Sequence, residues 1–182
     1  FITDELLDLT IKRVVQPTIH GLNKRKIKYH GFVFIGLIEV KGEPYVIEYN
    51  CRMGDPETEV VMPRLKSDLV SHLKALHEGK LEHEVIIFED NAAATVMLVS
   101  GGYPGDYKKN KTITIPDTIK DSLLFHAGTA LNEQGNLITN GGRVLAVTST
   151  DETIEQALAK SYNSISEIKF EGMNYRKDIG LL

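Results

Sequence analysis

The chain has 182 residues, a soft prior for one large domain or two small ones. Its hydrophobic fraction of 42% and charged fraction of 25% are those of an ordinary soluble globular protein with enough apolar residues for a sizeable core. Net charge is −4, with no basic run beyond Lys24-Arg25-Lys26, which argues against a nucleic-acid or membrane surface and leaves any phosphate to metal ions, arginines and backbone N–H groups.

The single cysteine, Cys51, excludes an internal disulfide and makes a reducing cytoplasm the default. No apolar stretch approaches the ~20 residues needed to span a bilayer, and no signal peptide is visible. The first residues, FITDELLDLT, lack a Met and read as cut from something longer.

Residues 3–16 predict an amphipathic helix, with Thr3 as cap, Asp4 and Glu5 in the first turn, and a stripe of Leu7, Ile11, Val14 and Val15. Pro17 should end or kink it, with GLNKRK following as a polar turn. Residues 31–40 (GFVFIGLIEV) and 45–50 (YVIEYN), separated by KGEP, predict a β-hairpin. Asp55-Pro56-Glu57-Thr58 is a helix start with Asp55 as cap, and Pro63 breaks that helix. Ser67 and Asp68 open another, with Leu69, Val70, Leu73 and Leu76 on one face and a close near Gly79.

A strand is expected around Val85–Phe88. From residue 92 short strands follow in AAATVMLVS, KTITI, LLFHAGTALN and GRVLAVTST, punctuated by GGYPGDY, NEQGN and NGG. A last helix begins at Asp151 or Thr150 and buries Ile154, Ala157, Leu158, Tyr162 and Ile165. The class is α+β, with a boundary near residues 78–92: residues 1–80 form an α/β part and 81–182 a β-rich domain with a terminal helix.

The chemistry concentrates in VIEYNCRMGDPETE, residues 46–59. Strand alternation puts Val46, Glu48, Asn50 and Arg52 on one face and Ile47, Tyr49 and Cys51 on the other. A hard cation such as Mg²⁺ takes oxygen ligands, often one or two protein groups plus phosphate and water. Glu48 and Asn50, ~6.7 Å apart along a strand, can converge on one, with Arg52 placed to clamp a transferring phosphoryl group. Taken alone, the triplet reads first as a solvated strand face, and Gly-Asp-Pro-Glu-Thr as a turn and cap. A helix N-terminus beside a metal face does, however, offer N–H groups to an anion.

Elsewhere the residues read structurally. His126 in LLFHAGT reads as a satisfied core histidine, Arg143 after NGG as a surface turn residue, and Cys51 as an inert core thiol. GGYPGDY is either a plain turn or a backbone approach to a ligand.

The run VIEYNCRMGDPETEVVMPRLKSDLV resembles the signature region of the phosphoribosylamine–glycine ligases, of the ATP-grasp superfamily. SGGYPGDY (100–107), FHAGT (125–129), TNGGRVLAVT (139–148) and NYRKDIG (174–180) extend the likeness over nearly the whole chain, in order. The resemblance implies joining of glycine to 5-phosphoribosylamine with ATP, through glycyl phosphate, in purine synthesis. It implies Glu48 and Asn50 as ligands of Mg²⁺ or Mn²⁺, Arg52 beside the phosphoryl group, and Asp55 near the amine substrate. It implies ATP as co-substrate, and the N-terminal half of the same enzyme, with lid and phosphate-binding lysine, as partner. Family members are roughly twice this length, so the chain is expected to be a C-terminal fragment, inactive alone.

Two departures stand out: FVFIGLI lacks the acid that many grasp enzymes carry on this strand, and Met53 replaces a common Phe. Two other readings remain beside this one. Another ATP-grasp ligase or carboxylase would share E-x-N-x-R, though Gly-Asp-Pro-Glu-Thr and the later motifs argue against it. A non-catalytic assembly module is kept open by the lack of a Gly-rich phosphate loop ahead of Lys-Ser/Thr.

Overall fold

The computed structural model describes residues 2–180, which form two compact units. The first comprises the residues up to Gly54 together with Asp68–Glu84; the second comprises Asp55–Ser67 together with the residues from Val85 onward. Together they give the mixed α+β architecture expected.

In the first unit, α1 (Asp4–Thr10) is capped as expected, Thr3 Oγ1 accepting from Leu6 N–H at 3.2 Å. A π-helical segment, Ile11–Val15, then leads into α2 (Gln16–Lys24). Pro17 therefore does not end the helix. It falls in the first turn of α2, where a missing N–H is tolerated, and the widened turn just before it absorbs the interruption. The GLNKRK segment is correspondingly helical up to Lys24.

Strands β1 (Phe34–Val40) and β2 (Glu43–Asn50) form the expected antiparallel hairpin. Lys41 and Gly42 turn the chain with φ of 54° and 80°. After Gly54 the chain leaves this unit and returns to it at Asp68. Asp68 caps α4 (Leu69–His77), its Oδ1 accepting from Val70 N–H at 2.9 Å.

The second unit opens with α3 (Thr58–Val61), which passes into a 3₁₀ turn, Met62–Arg64, at Pro63 as expected. Its sheet is built from β3 (Ala92–Val99), β4 (Leu123–His126) and β7 (Arg143–Asp151), all antiparallel in the order β3-β7-β4. A separate two-stranded pair joins β5 (Thr129–Leu131) to β6 (Leu137–Thr139).

Strand β3 alternates, with Ala94, Val96 and Leu98 inward. Strand β7 is buried at every residue from Val144 to Ser149, because it is paired on both edges and both α3 and α5 (Ile154–Glu167) pack against it. Val85–Phe88 and Lys111–Ile115 carry isolated bridges instead of the expected strands: Phe88 with Leu65, Thr112 with Ile138, and Thr114 with Lys169. These bridges run to Leu65 and Lys169, outside the named strands, and to Ile138 of β6.

Helix α5 is capped by Thr153, whose Oγ1 accepts from Gln156 N–H at 3.2 Å, and not by Asp151 or Thr150. Asp151 ends β7 and binds Lys160 at 2.8 Å. The buried face of α5 contains Ala157, Leu158 and Ile165 as expected, but also Ser161 and Ser164. Ile154 stays exposed. The serines bury because they are satisfied: Ser161 Oγ meets Ser149 Oγ at 2.8 Å, and Ser122 Oγ lies 2.7 Å from both Ser149 Oγ and Ser164 Oγ.

Leu98 is fully buried in the core formed by β3, β7 and α5. Leu98→Ala is expected to cost about 2–5 kcal/mol, read as a lowered denaturation midpoint of the second unit. The hydrogen bond from Lys160, and then Glu152 N–H, hold the Asp151 carboxyl below its ordinary value of 3.8. A lowered folded-state value stabilises at pH above 3.8 and is lost as pH falls through the lowered value. Asp151→Asn should therefore flatten the acid limb of stability against pH, leaving the dependence near neutrality unchanged.

Candidate functional site

In the first unit the pairing of the hairpin shifts between Gly36 and Leu37: Gly36 faces Glu48, while Leu37 faces Val46. Ile47 is thus the extra residue of a β-bulge on β2, so alternation does not carry Val46 onto the face of Glu48. Beyond the bulge it holds. Asn50 Nδ2 donates to Glu48 Oε1 at 3.1 Å, which fixes the two side chains on one face.

Gly36 lies directly beneath Glu48, and a Cβ there would stand 3.1 Å from Glu48 Cγ. The glycine leaves the carboxylate its space. The hydrogen bond consumes the amide nitrogen of Asn50 and one oxygen of Glu48. Asn50 Oδ1 and the second Glu48 oxygen are the atoms that suit a hard divalent cation. Among the described residues no group of three or more His, Cys, Asp or Glu could hold a metal. Two protein oxygens completed by phosphate and water fit that composition.

Arg52 lies beyond the end of β2, and its Nη1 donates to Met53 C=O at 2.7 Å. The structure therefore brings Glu48 and Asn50 together, with Arg52 turned to its neighbour's carbonyl. Cys51 is exposed, correcting its expected place in the core. Ile47 and Tyr49 are exposed as well; Tyr49 OH lies 2.9 Å from Thr18 Oγ1.

Asp55 belongs to the second unit. It does not cap α3, whose N-cap position is Glu57 without a side-chain bond. Its carboxylate is held instead by Arg143, the residue expected to be a surface turn position. Arg143 Nη1 donates to Asp55 C=O and Nη2 to Asp55 Oδ2, both at 2.9 Å. With 36% and 49% of the two side chains exposed, such an ion pair contributes only ~0–1 kcal/mol to stability.

The motifs that look separate in the sequence meet around Arg143. Ser100 N–H donates to Gly142 C=O and Ser100 Oγ to Gly141 C=O, both at 2.8 Å. Gly128 N–H donates to Arg143 C=O at 2.8 Å, and Asn140 N–H to Gly128 C=O at 2.7 Å. A side chain on Gly142 would collide with the Tyr103 ring, and a Cβ on Gly141 would stand 2.9 Å from Gly128 Cα. SGGYPGDY, FHAGT and TNGGR are thus one packed loop cluster. His126 is exposed on its flank, bonded to Thr129 Oγ1 at 3.0 Å, and is not a core histidine. The signal that could have singled out Arg143 was the glycine pair before it.

Comparison with known proteins identifies the fold and then the family. The family model described as "Phosphoribosylglycinamide synthetase, ATP-grasp (A) domain" matches residues 1–58, which places that segment in the ATP-grasp class. A solved biotin carboxylase domain of a Hydrogenobacter thermophilus 2-oxoglutarate carboxylase shares the fold, with a TM-score of 0.62 at 17% identity, over 98% of this chain and 41% of that one.

A second model, "Phosphoribosylglycinamide synthetase, C domain", matches residues 93–182. The crystal structure of phosphoribosylamine–glycine ligase from Thermotoga maritima matches with a TM-score of 0.85 and 36% identity, over 98% of this chain and 44% of that one. A Chlorobaculum tepidum protein of the same name is 44% identical over 98% of this chain. The chain belongs to the phosphoribosylglycinamide synthetase family. It spans 43% of the length of the Chlorobaculum relative.

Proposed function

We propose that this chain is the C-terminal part of a phosphoribosylamine–glycine ligase of purine synthesis, acting in the cytoplasm. The ligase joins glycine to 5-phosphoribosylamine, consumes ATP, and releases glycinamide ribonucleotide, ADP and phosphate. The glycine carboxylate takes the γ-phosphoryl group to give glycyl phosphate; the sugar amine then attacks the acyl carbon and phosphate leaves. Residues 1–80 supply the metal and phosphate face, and residues 81–182 form the β-rich domain. The N-terminal half of the enzyme supplies the lid and its phosphate-binding lysine.

One observation carries the reading: Glu48 and Asn50 lie side by side above a glycine, inside the run that the family's ATP-grasp model matches. These two residues would hold Mg²⁺ or Mn²⁺, which when bound neutralises phosphate charge. Asn50 orients Glu48 by donating to one of its oxygens, leaving the other to face the cation. Arg52, freed from the Met53 carbonyl, supplies a planar cation for the transferring phosphoryl and acyl-phosphate oxygens. Asp55 lies near the attacking amine. A carboxylase-type chemistry is not favoured: that likeness is one of fold alone, whereas the synthetase C-domain match covers the β-rich half.

In the full-length enzyme carrying this segment, Glu48→Gln should lower turnover by ~100-fold or more and weaken metal–nucleotide binding measured by calorimetry. Unaltered kinetics would remove Glu48 from the site. The 182-residue chain by itself is expected to show no ATP- and glycine-dependent ligation, and turnover by the pure chain would overturn the assignment of the lid to the missing half.

A further inference from the structure

We propose that Arg143 is a positioning residue, which sets the orientation of Asp55 for the amine substrate; this rests on the reading above that Asp55 belongs to the ligase site. The geometry goes beyond a simple ion pair. One guanidinium nitrogen takes the carboxylate of Asp55 and the other takes its main-chain carbonyl, so side chain and backbone are fixed together. A planar fork fixes both directions at once, where the rotatable donors of an ammonium hold them less rigidly. Oδ1 of Asp55 is left to a substrate group.

The support behind Arg143 is out of proportion to what an exposed ion pair adds to stability. Two other segments, the Ser100 loop and the Gly128 turn, hold residues 140–143 through four hydrogen bonds of 2.7–2.8 Å. Glycines stand where any side chain would collide with Tyr103 or with the facing backbone. The register of β7 also slips here: Leu98 faces Leu145 but Val99 faces Arg143, so Val144 is an extra residue. A bulge of this kind re-aims the adjacent side chain, here Arg143 onto Asp55. Such construction fixes the direction of a side chain, which matters for a reacting group and very little for an exposed pair.

The test uses the full-length enzyme with Arg143→Ala, Arg143→Lys, Asp55→Asn, the double variant Asp55→Asn/Arg143→Ala, and Glu48→Gln. Arg143→Ala should raise KM for the amine substrate ~10-fold or more and leave KM for ATP within about twofold, with the melting temperature within ~3 °C of wild type. Arg143→Lys should recover only part of the loss. The double variant should be no worse than Asp55→Asn alone, because both changes remove one interaction.

Losses that multiply in the double variant would overturn the proposal. So would a uniform rise in all three substrate KM values with a falling melting temperature, which marks a structural role. Wild-type kinetics in Arg143→Ala alongside an inactive Glu48→Gln would overturn the positioning role and leave the ligase reading standing; an active Glu48→Gln would remove that reading itself.

Discussion

Strand β7 is the constraint on which the second unit depends. It pairs with β3 on one edge and β4 on the other, and its buried stretch Val144–Ser149 receives both α3 and α5. A strand in that position must be apolar, or satisfied where it is polar. Thr148 meets the second condition through Thr95 Oγ1 at 2.8 Å, and Ser149 through Ser122 and Ser161. Those bonds give α5 a register that apolar packing alone would leave looser, since small hydroxyls tolerate little displacement before they are orphaned. At its far end the same strand receives the Lys160 ammonium on Asp151. At its near end it presents Arg143. One strand therefore anchors the terminal helix and aims the guanidinium.

The first unit is organised by a different economy. Its hairpin is largely exposed, with Ile47 at 66% and Tyr45 at 57% accessible. Glu48 is exposed too, so its place on the strand requires no buried partner. What the fold must supply is relative placement. It does so with the Asn50 hydrogen bond, the space above Gly36, and a bulge at Ile47. The mixture of acid, amide and guanidinium along an apolar strand thus costs the fold little. What ties the two polar positions together in the structure is the bond from Asn50 to Glu48.

Periodic and capping signals carried furthest from sequence to structure. The Thr3 and Asp68 caps, the β1–β2 hairpin, the break at Pro63, the alternation of β3 and most of the α5 face follow from local chemistry that tertiary contacts reinforce. Failures came where long-range pairing decided. Val85–Phe88 and Lys111–Ile115 have strand composition but form only isolated bridges, Phe88 to Leu65, Thr112 to Ile138 of β6 and Thr114 to Lys169. Ser161 and Ser164 look like solvent positions until Ser122 and Ser149 are brought beneath them. Asp55 offered every local sign of a cap, yet a residue 88 positions away takes its carboxylate. Neither bulge is visible in the sequence, because an extra residue in one strand is defined only by its partner.

Each of the two bulges adjoins a polar side chain that the proposed site uses. Regular alternation can only send a strand residue to one face or the other. A single added residue breaks that choice, bends the strand, and lets the next side chain take an intermediate direction. At β2 the added residue is Ile47, next to Glu48; at β7 it is Val144, next to Arg143. In both places a glycine clears the space that the redirected chain requires: Gly36 under Glu48, and Gly142 against Tyr103. The glycines of the GGR turn are therefore explained by the packing behind Arg143, with no need for them to approach a ligand themselves. A motif can mark a site through the residue it aims.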